Sequence, residues 1–205
     1  MNIEIKSRYT GGILFAGQYT DVRAALIAAC AAHADLAGAD LARADLAGAD
    51  LARADLAGAD LAGADLAGAD LAGADLAHAY LAGAKLARAD LARADLAHAD
   101  LAGADLAHAD LAGAKLAGAK LAGAKLRDAI VDGDGAVLIL GPIGSRAAYL
   151  TVFRTDKGLR LQTGCFYGSA SDFLARVTET HVGTKHERDY IGAVKCAAVV
   201  LGCEA

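Results

Sequence analysis

The sequence predicts a mainly β fold wound as a solenoid, with a hairpin and helix before it and a small α+β module after it. Three observations carry this expectation. Leucine occupies every fifth position from Leu36 to Leu126 without a gap. Hydrophobic residues make up 56% of the chain but aromatics only 5%, so leucine and alanine must fill most of the interior. The residues on either side of the repeats lose this period and read as ordinary strands and helices.

A period of five suits neither regular element. On an α-helix, five residues advance about 140° past a full turn, so the leucines would spiral around the axis and leave no apolar stripe. On a flat strand, an odd step sends successive leucines to opposite faces. A chain that bends once per repeat buries them all. The expected core is therefore Leu36, Leu41, Leu46, Leu51, Leu56, Leu61, Leu66, Leu71, Leu76, Leu81, Leu86, Leu91, Leu96, Leu101, Leu106, Leu111, Leu116, Leu121 and Leu126. The Ala two places before each Leu also points inward. Glycine at the corners tolerates unusual dihedrals. Stacked coils bond through backbone amides at a spacing of about 4.8 Å.

Three domains follow: 1–33, 34–133 and 134–205. In the first, Asn2–Tyr9 alternates like a strand, Thr10-Gly11-Gly12 is a turn and Ile13–Phe15 a second strand. Asp21–Ala32 reads as a helix with Thr20 or Asp21 as N-cap. The middle domain ends in a degenerate turn, Ala129–Gly133. In the last, Val137–Leu140, Ala148–Arg154 and Leu159–Thr163 are strand-like, with Asp156-Lys157-Gly158 as a hairpin turn. Gly141–Arg146 is read as a turn and lacks the spacing of a phosphate loop. Ser171–Thr180 and Lys185–Leu201 look helical. Open solenoid ends expose apolar surface and unpaired edges, so 1–33 and 134–205 are expected to cap the rod.

Ala34-Asp35-Leu36-Ala37-Gly38 and the units after it resemble the pentapeptide-repeat family, whose consensus is A(D/N)LXX, over 95 of the 205 residues. The resemblance implies a right-handed quadrilateral β-helix with four repeats per coil. It also brings a function to weigh, because some members mimic duplex DNA and protect DNA gyrase, a type II topoisomerase. The flanks look like modules around such repeats in some bacterial and phage proteins, with no assigned activity.

With four repeats per coil, residues 20 apart stack. The position before Leu then forms four columns: Asp35, Asp55, Asp75, Asp95, Lys115; Asp40, Asp60, Tyr80, Asp100, Lys120; Asp45, Asp65, Lys85, Asp105, Lys125; and Asp50, Asp70, Asp90, Asp110. Each Lys falls one coil after an Asp and relieves stacked like charge. Asp35, Asp40, Asp45, Asp50, Asp55, Asp60, Asp65, Asp70 and Asp75 form the candidate acidic interaction surface. Residues 34–84 carry nine Asp and two Arg, net −7, whereas 85–128 carry six Asp, four Lys and three Arg, net +1.

The chemistry-bearing residues are few. Cys165, His181 and His186 are the only set that suggests nucleophilic catalysis, and a small buried cysteine with helix-end histidines is the expected alternative. His78 over His98 supplies two ligands, short of a closed metal site. The four cysteines show no metal-ligand spacing, and residues 34–128 hold no Ser or Thr for an ice-binding ladder. A net charge of −5 argues against phosphate-mediated nucleic-acid binding. No run of about 18 apolar residues and no N-terminal apolar leader is present, so a cytoplasmic protein is expected, with no membrane contact.

The expected function is a non-enzymatic scaffold presenting a regular, partly acidic surface to a protein partner, with no catalytic residue, cofactor or metal. The alternatives are a DNA-mimicking inhibitor or protector of a type II topoisomerase, and a C-terminal module with its own ligand-binding or enzymatic activity. Lys195–Leu201 fits a core helix or a dimer face, and a homodimer would form through a terminal module.

Overall fold

The computed structural model describes residues 1–133, 136–143, 148–163 and 166–203. Its elements are β1 (Asn2–Lys6), β2 (Ile13–Gln18) and α1 (Val22–Ala31), then the repeats, then β3 (Val137–Ile143), β4 (Ala148–Thr155), β5 (Gly158–Thr163), β6 (Phe166–Ser169), α2 (Ala170–His181) and α3 (Lys185–Leu201).

The repeats form a β-helix-type solenoid. Parallel bridges join Asp40 to Asp60, Asp60 to Tyr80 and Tyr80 to Asp100. The step is 20 residues, or four repeats, per coil. Every leucine from Leu36 to Leu126 is buried, with Leu116 and Leu126 the most exposed at 7%. The alanines two places before them are buried from Ala49 onward.

The repeats that carry Asp pair their backbone N–H groups by three routes, as the bonds around Ala39–Arg43 show. Leu41 N donates to Asp60 O at 2.8 Å and Arg43 N to Ala62 O at 2.9 Å, both in the next coil. Asp60 N reaches back to Ala39 O at 2.8 Å. Ala44 N closes a turn onto Leu41 O at 3.1 Å. One donor remains, the Ala after Leu, and a side chain takes it: Ala42 N donates to Asp40 Oδ1 at 3.4 Å. A buried or crowded amide cannot be left unpaired cheaply, so this position calls for a short side-chain acceptor such as Asp or Asn.

The turn also explains the last residue of each unit. In Leu36-Ala37-Gly38-Ala39 the third residue has φ +66°, the condition of a type II turn. Glycine suits it, yet Arg43, Arg53, His78, Arg88, Arg93, His98 and His108 hold φ between 59° and 65° in the same place. Each of these costs about 1 kcal/mol relative to glycine.

At the N-terminal end, β1 and β2 pair antiparallel, and α1 lays Ala25, Leu26 and Ala29 against Leu36 and the rod interior with Ile5. Asp21 caps α1, its Oδ1 accepting from Ala24 N at 2.8 Å. The first strand ends at Lys6 rather than Tyr9. The register shifts between Ile5 and Lys6, and residues 7–12 turn away to lie on the rod. Ser7 pairs with Ala39, Arg8 N donates to Gly38 O and Asp40 N to Lys6 O.

At the other end, Ala129–Gly133 is not a simple turn. Ile130 pairs antiparallel with Lys125 and Val131 with Thr155, so the chain folds back on the last coil and hands over to a sheet of order β3-β4-β5-β6. Strand residues alternate between two cores. Val137, Ile139, Phe153 and Tyr167 face the rod interior, while Leu138, Leu140, Leu150, Val152, Leu159 and Leu161 pack on α2 and α3. The expected turn from Gly141 is corrected: β3 runs on through Pro142 to Ile143 with a register shift after Leu140. An edge strand accepts proline because its outer N–H has no partner to lose. Gly144–Ala147 lies outside the described residues. The strand β6 went unread, being four residues long. The helix starts are set by Ser169 and Thr184, which accept from Asp172 N and Glu187 N, and Gly202 closes α3 at φ 66°. Among the described residues no helix is long and apolar enough to cross a membrane.

Candidate functional site

The rod surface is built from the Asp position and the corner. All fourteen Asp from Asp35 to Asp110 use Oδ1 to accept from the N–H two residues on, at 2.9–3.4 Å. These carboxylates hold the fold with one oxygen and face outward with the other. Of the nine candidate residues, Asp35, Asp40, Asp45, Asp50, Asp55, Asp70 and Asp75 are exposed, while Asp60 and Asp65 are half-buried.

Three of the four lysines that interrupt a column reach the Asp one coil earlier. Lys85 Nζ lies 2.9 Å from Asp65, Lys115 2.7 Å from Asp95 and Lys120 3.9 Å from Asp100. The Lys85 hydrogen bond, then the Ala67 amide, holds the Asp65 carboxyl below its ordinary value; Lys115 and Ala97 do the same for Asp95. The column Asp50, Asp70, Asp90, Asp110 contains no lysine. Its first member faces α1, where burial and then Asp50 push the half-buried Cys30 thiol up to about 11.

Tyr80 breaks its column for a different reason, which the sequence did not disclose. The loop between β1 and β2 lies along the outside of the rod as a strap. The Arg8 guanidinium sits 3.9 Å from the centre of the Tyr80 ring and 4.0 Å from Asp60 Oδ2. Tyr9 lies over two glycine corners in succession: a Cβ on Gly38 would meet its ring at 2.5 Å, and its hydroxyl donates to Gly58 O at 3.3 Å. On the same corner, one coil further on, His78 stacks on His98 with ring centres 5.0 Å apart and planes 11° from parallel. Parallel rings at that distance cannot converge their nitrogens on one ion at bonds of about 2.0 Å. Among the described residues no group of three or more His, Cys, Asp or Glu could hold a metal.

The C-terminal junction is a charged knot. Arg160 Nε and Nη2 each lie 3.3 Å from the Asp128 carboxylate, and Tyr167 Oη donates to it at 2.9 Å. Lys157 Nζ donates to Asp128 O. Burial works against ionisation of Asp128, but the Arg160 and Tyr167 hydrogen bonds outweigh it and hold the carboxyl below its ordinary value. Burial first, and then Asp128, raise the Tyr167 phenol. A cleft of about 140 Å³ opens beside the knot, lined by Leu106, His108, Leu126, Arg127, Gln162, Phe166 and Tyr167. It is smaller than small-molecule sites, which run to roughly 300 Å³ and above.

Of the proposed catalytic set, His181 and His186 come together with ring centres 6.1 Å apart, beside Tyr190 and with His186 Nδ1 3.9 Å from Asp189. Cys165 lies outside the described residues. Cys30, Cys196 and Cys203 are free thiols.

A family model for pentapeptide repeats, in eight copies, matches residues 22–58, 54–93 and 89–128. No curated protein matches the chain. Among solved structures, the pentapeptide repeat protein alr5209 from Nostoc Pcc 7120 is 48% identical over 41% of this chain and 69% of its own, with a TM-score of 0.40. A pentapeptide repeat protein from the Arabidopsis thaliana thylakoid lumen is 35% identical over 42% of this chain and 63% of its own, with a TM-score of 0.30. HetL from Nostoc sp. strain PCC 7120 is 36% identical over 45% of this chain and 53% of its own, with a TM-score of 0.29. The chain thus spans less than two-thirds of the length of the last two.

Proposed function

The chain belongs to the pentapeptide-repeat family, and from that premise we propose that it is a non-enzymatic scaffold whose rod presents a partly acidic surface to a protein partner. The observation that supports this reading is the division of labour within each Asp. One oxygen is used by the turn, and the other faces outward, paired within the chain at Asp60, Asp65, Asp95 and Asp100. On the column Asp50, Asp70, Asp90, Asp110, those outward oxygens repeat at the coil spacing without a lysine.

The finer architecture belongs to the same reading. Four five-residue sides make a right-handed quadrilateral coil, residues 34–133 form the rod, and 1–33 and 134–205 are its caps. The cytoplasm is the proposed setting.

Asp→Asn keeps the Oδ1 acceptor and removes the charge, so it separates binding from folding. A protein captured from the source cell by the wild type should be lost when Asp50, Asp70, Asp90 and Asp110 are all Asn. Retention of every captured protein would count against the acidic surface. A gyrase supercoiling assay addresses the competing DNA-mimic reading. No effect is expected at excess protein, and inhibition would replace the scaffold by the mimic.

A further inference from the structure

The rod departs from its repeat in a pattern. Most departures are single Arg or Lys residues scattered over the corners and columns. The aromatic ones gather instead. His78 and His98 share one corner, and Tyr80 stands on the side next to it. His108 alone lies elsewhere, at the junction cleft. All three gathered residues are exposed, Tyr80 by 44%.

This strip is the direct continuation of an interface already made within the chain. The strap shows what the corner accepts. The ladder leaves the corner carbonyls without a main-chain donor of its own, and the strap uses two in succession: Arg8 N donates to Gly38 O at 2.8 Å and the Tyr9 hydroxyl to Gly58 O. Its guanidinium then stacks on Tyr80 beside an Asp. The next carbonyls on that corner belong to His78 and His98. The next carboxylate beyond Tyr80 is Asp100, half-buried and 3.9 Å from Lys120.

Resting on the scaffold reading, we infer that the strip formed by His78, His98, Tyr80 and Asp100 docks an extended, arginine-bearing segment of a partner protein. Arginine fits each feature. Its planar guanidinium stacks on aromatic faces and carries five donors for carbonyl and carboxylate oxygens. His78 and Tyr80 lie in the half of the rod that is net −7, residues 34–84, which attracts a cation and repels nucleic acid, while His98 and Asp100 lie just past its boundary. Tyr and Arg contacts of this kind dominate binding energy at protein interfaces. The left-handed conformation of His78 and His98, φ 60° and 59°, is a cost that glycine would avoid.

The test uses the whole chain and a fluorescent peptide of Arg-Gly-Gly repeats. The triple variant His78→Gly, His98→Gly, Tyr80→Asp restores the repeat at every altered position and removes the left-handed strain at 78 and 98, although Arg8 loses its ring, and it adds a negative charge. Binding about tenfold weaker than wild type is expected, as is weaker binding of a Lys-Gly-Gly peptide of equal charge. A double variant, His78→Gly with His98→Gly, keeps Arg8 on Tyr80 and should lose part of the affinity. Unchanged or tighter binding to the triple variant would overturn the inference, since charge alone would then hold the peptide. So would absence of binding to the wild type. If the peptide is lost only when Asp50, Asp70, Asp90 and Asp110 are Asn, this strip fails while the scaffold reading stands.

Discussion

The two ends of the rod solve one problem in different ways. At each end a flanking segment packs on the leucine interior and backbone pairing continues past the end coil. At the N-terminal end the tasks are split: α1 covers the interior with small residues, Ala25, Leu26 and Ala29, while the hairpin pairs the backbone at Ala39 and Asp40. At the C-terminal end the fold-back segment pairs the last coil, Ile130 with Lys125 and Val131 N with Ala124 O, and a sheet covers the interior. Its rod-facing side supplies Phe153 as a plug, and its margin pairs with Val131. The attachments differ too. The N-terminal strap holds by a stacked ring and a cation over Tyr80, the C-terminal sheet by the Arg160–Asp128 pair. A solenoid couples each coil mainly to its neighbours, so each end can loosen alone.

The most severe way to break this comparison is to cut the rod between the ends. Leu81 is fully buried at mid-rod, and Leu81→Asp places a carboxylate among alanines and leucines. A loss above about 4 kcal/mol is expected from the unpaired buried charge and lost packing. Urea unfolding should show no cooperative rod transition, and a wild-type midpoint would refute the continuous core.

Single-end truncations come next. Phe153→Ala should cost about 3–5 kcal/mol and Leu26→Ala about 2–5 kcal/mol. Hydrogen exchange should rise only in coils near the altered end. Equal deprotection at both ends would show that the rod unfolds as one unit.

Acid sharpens the contrast. Asp128 has a folded pKa below its ordinary value, so its pair with Arg160 stabilises the native state above about pH 4, the unfolded carboxylate value, and that contribution fades as pH falls through the folded value. Asp128→Asn should loosen the C-terminal junction at neutral pH and flatten its acid response. The N-terminal end should keep its own response through the Asp21 cap, whose carboxyl is held low chiefly by the Ala24 amide. Amide exchange followed from pH 6 to 3 separates the two.

Two corner substitutions probe the strap. Gly38 and Gly68 both have φ +66°, but only Gly38 lies under a ring. Gly68→Ala should cost about 1 kcal/mol of backbone strain, and Gly38→Ala more, with release of Tyr9 seen in its fluorescence. The smallest effects fall on the columns. Asp70→Ala should cost about 1 kcal/mol for its lost turn bond, while Asp70→Asn should be nearly neutral in thermal melting.

Legibility followed range in the chain. The leucine positions were readable because each repeat states them locally; the 20-residue stacking came with the resemblance to the pentapeptide-repeat family, and Lys85 over Asp65 then followed by counting. The Asp bond to the amide two residues on was also local, and the Asp-or-Asn choice was its unread sign. Arg8 with Tyr80 left only the oddity of a single Tyr in an Asp column, and Arg160 with Asp128 left no sign at all. His181 and His186 meet because a three-residue turn joins their helices.

By itself the sequence determined the repeat, its inward leucines and the bend at each corner, since a period of five excludes helix and flat strand within a few residues. Only the tertiary structure decided what happens where the period stops: which ring seats on which glycine, which cation answers Tyr80 and Asp128, and how a sheet rather than a helix packs on the second end. Those are meetings of single residues far apart in the chain. They depend on the path that the coils impose, and no local pattern encodes that path.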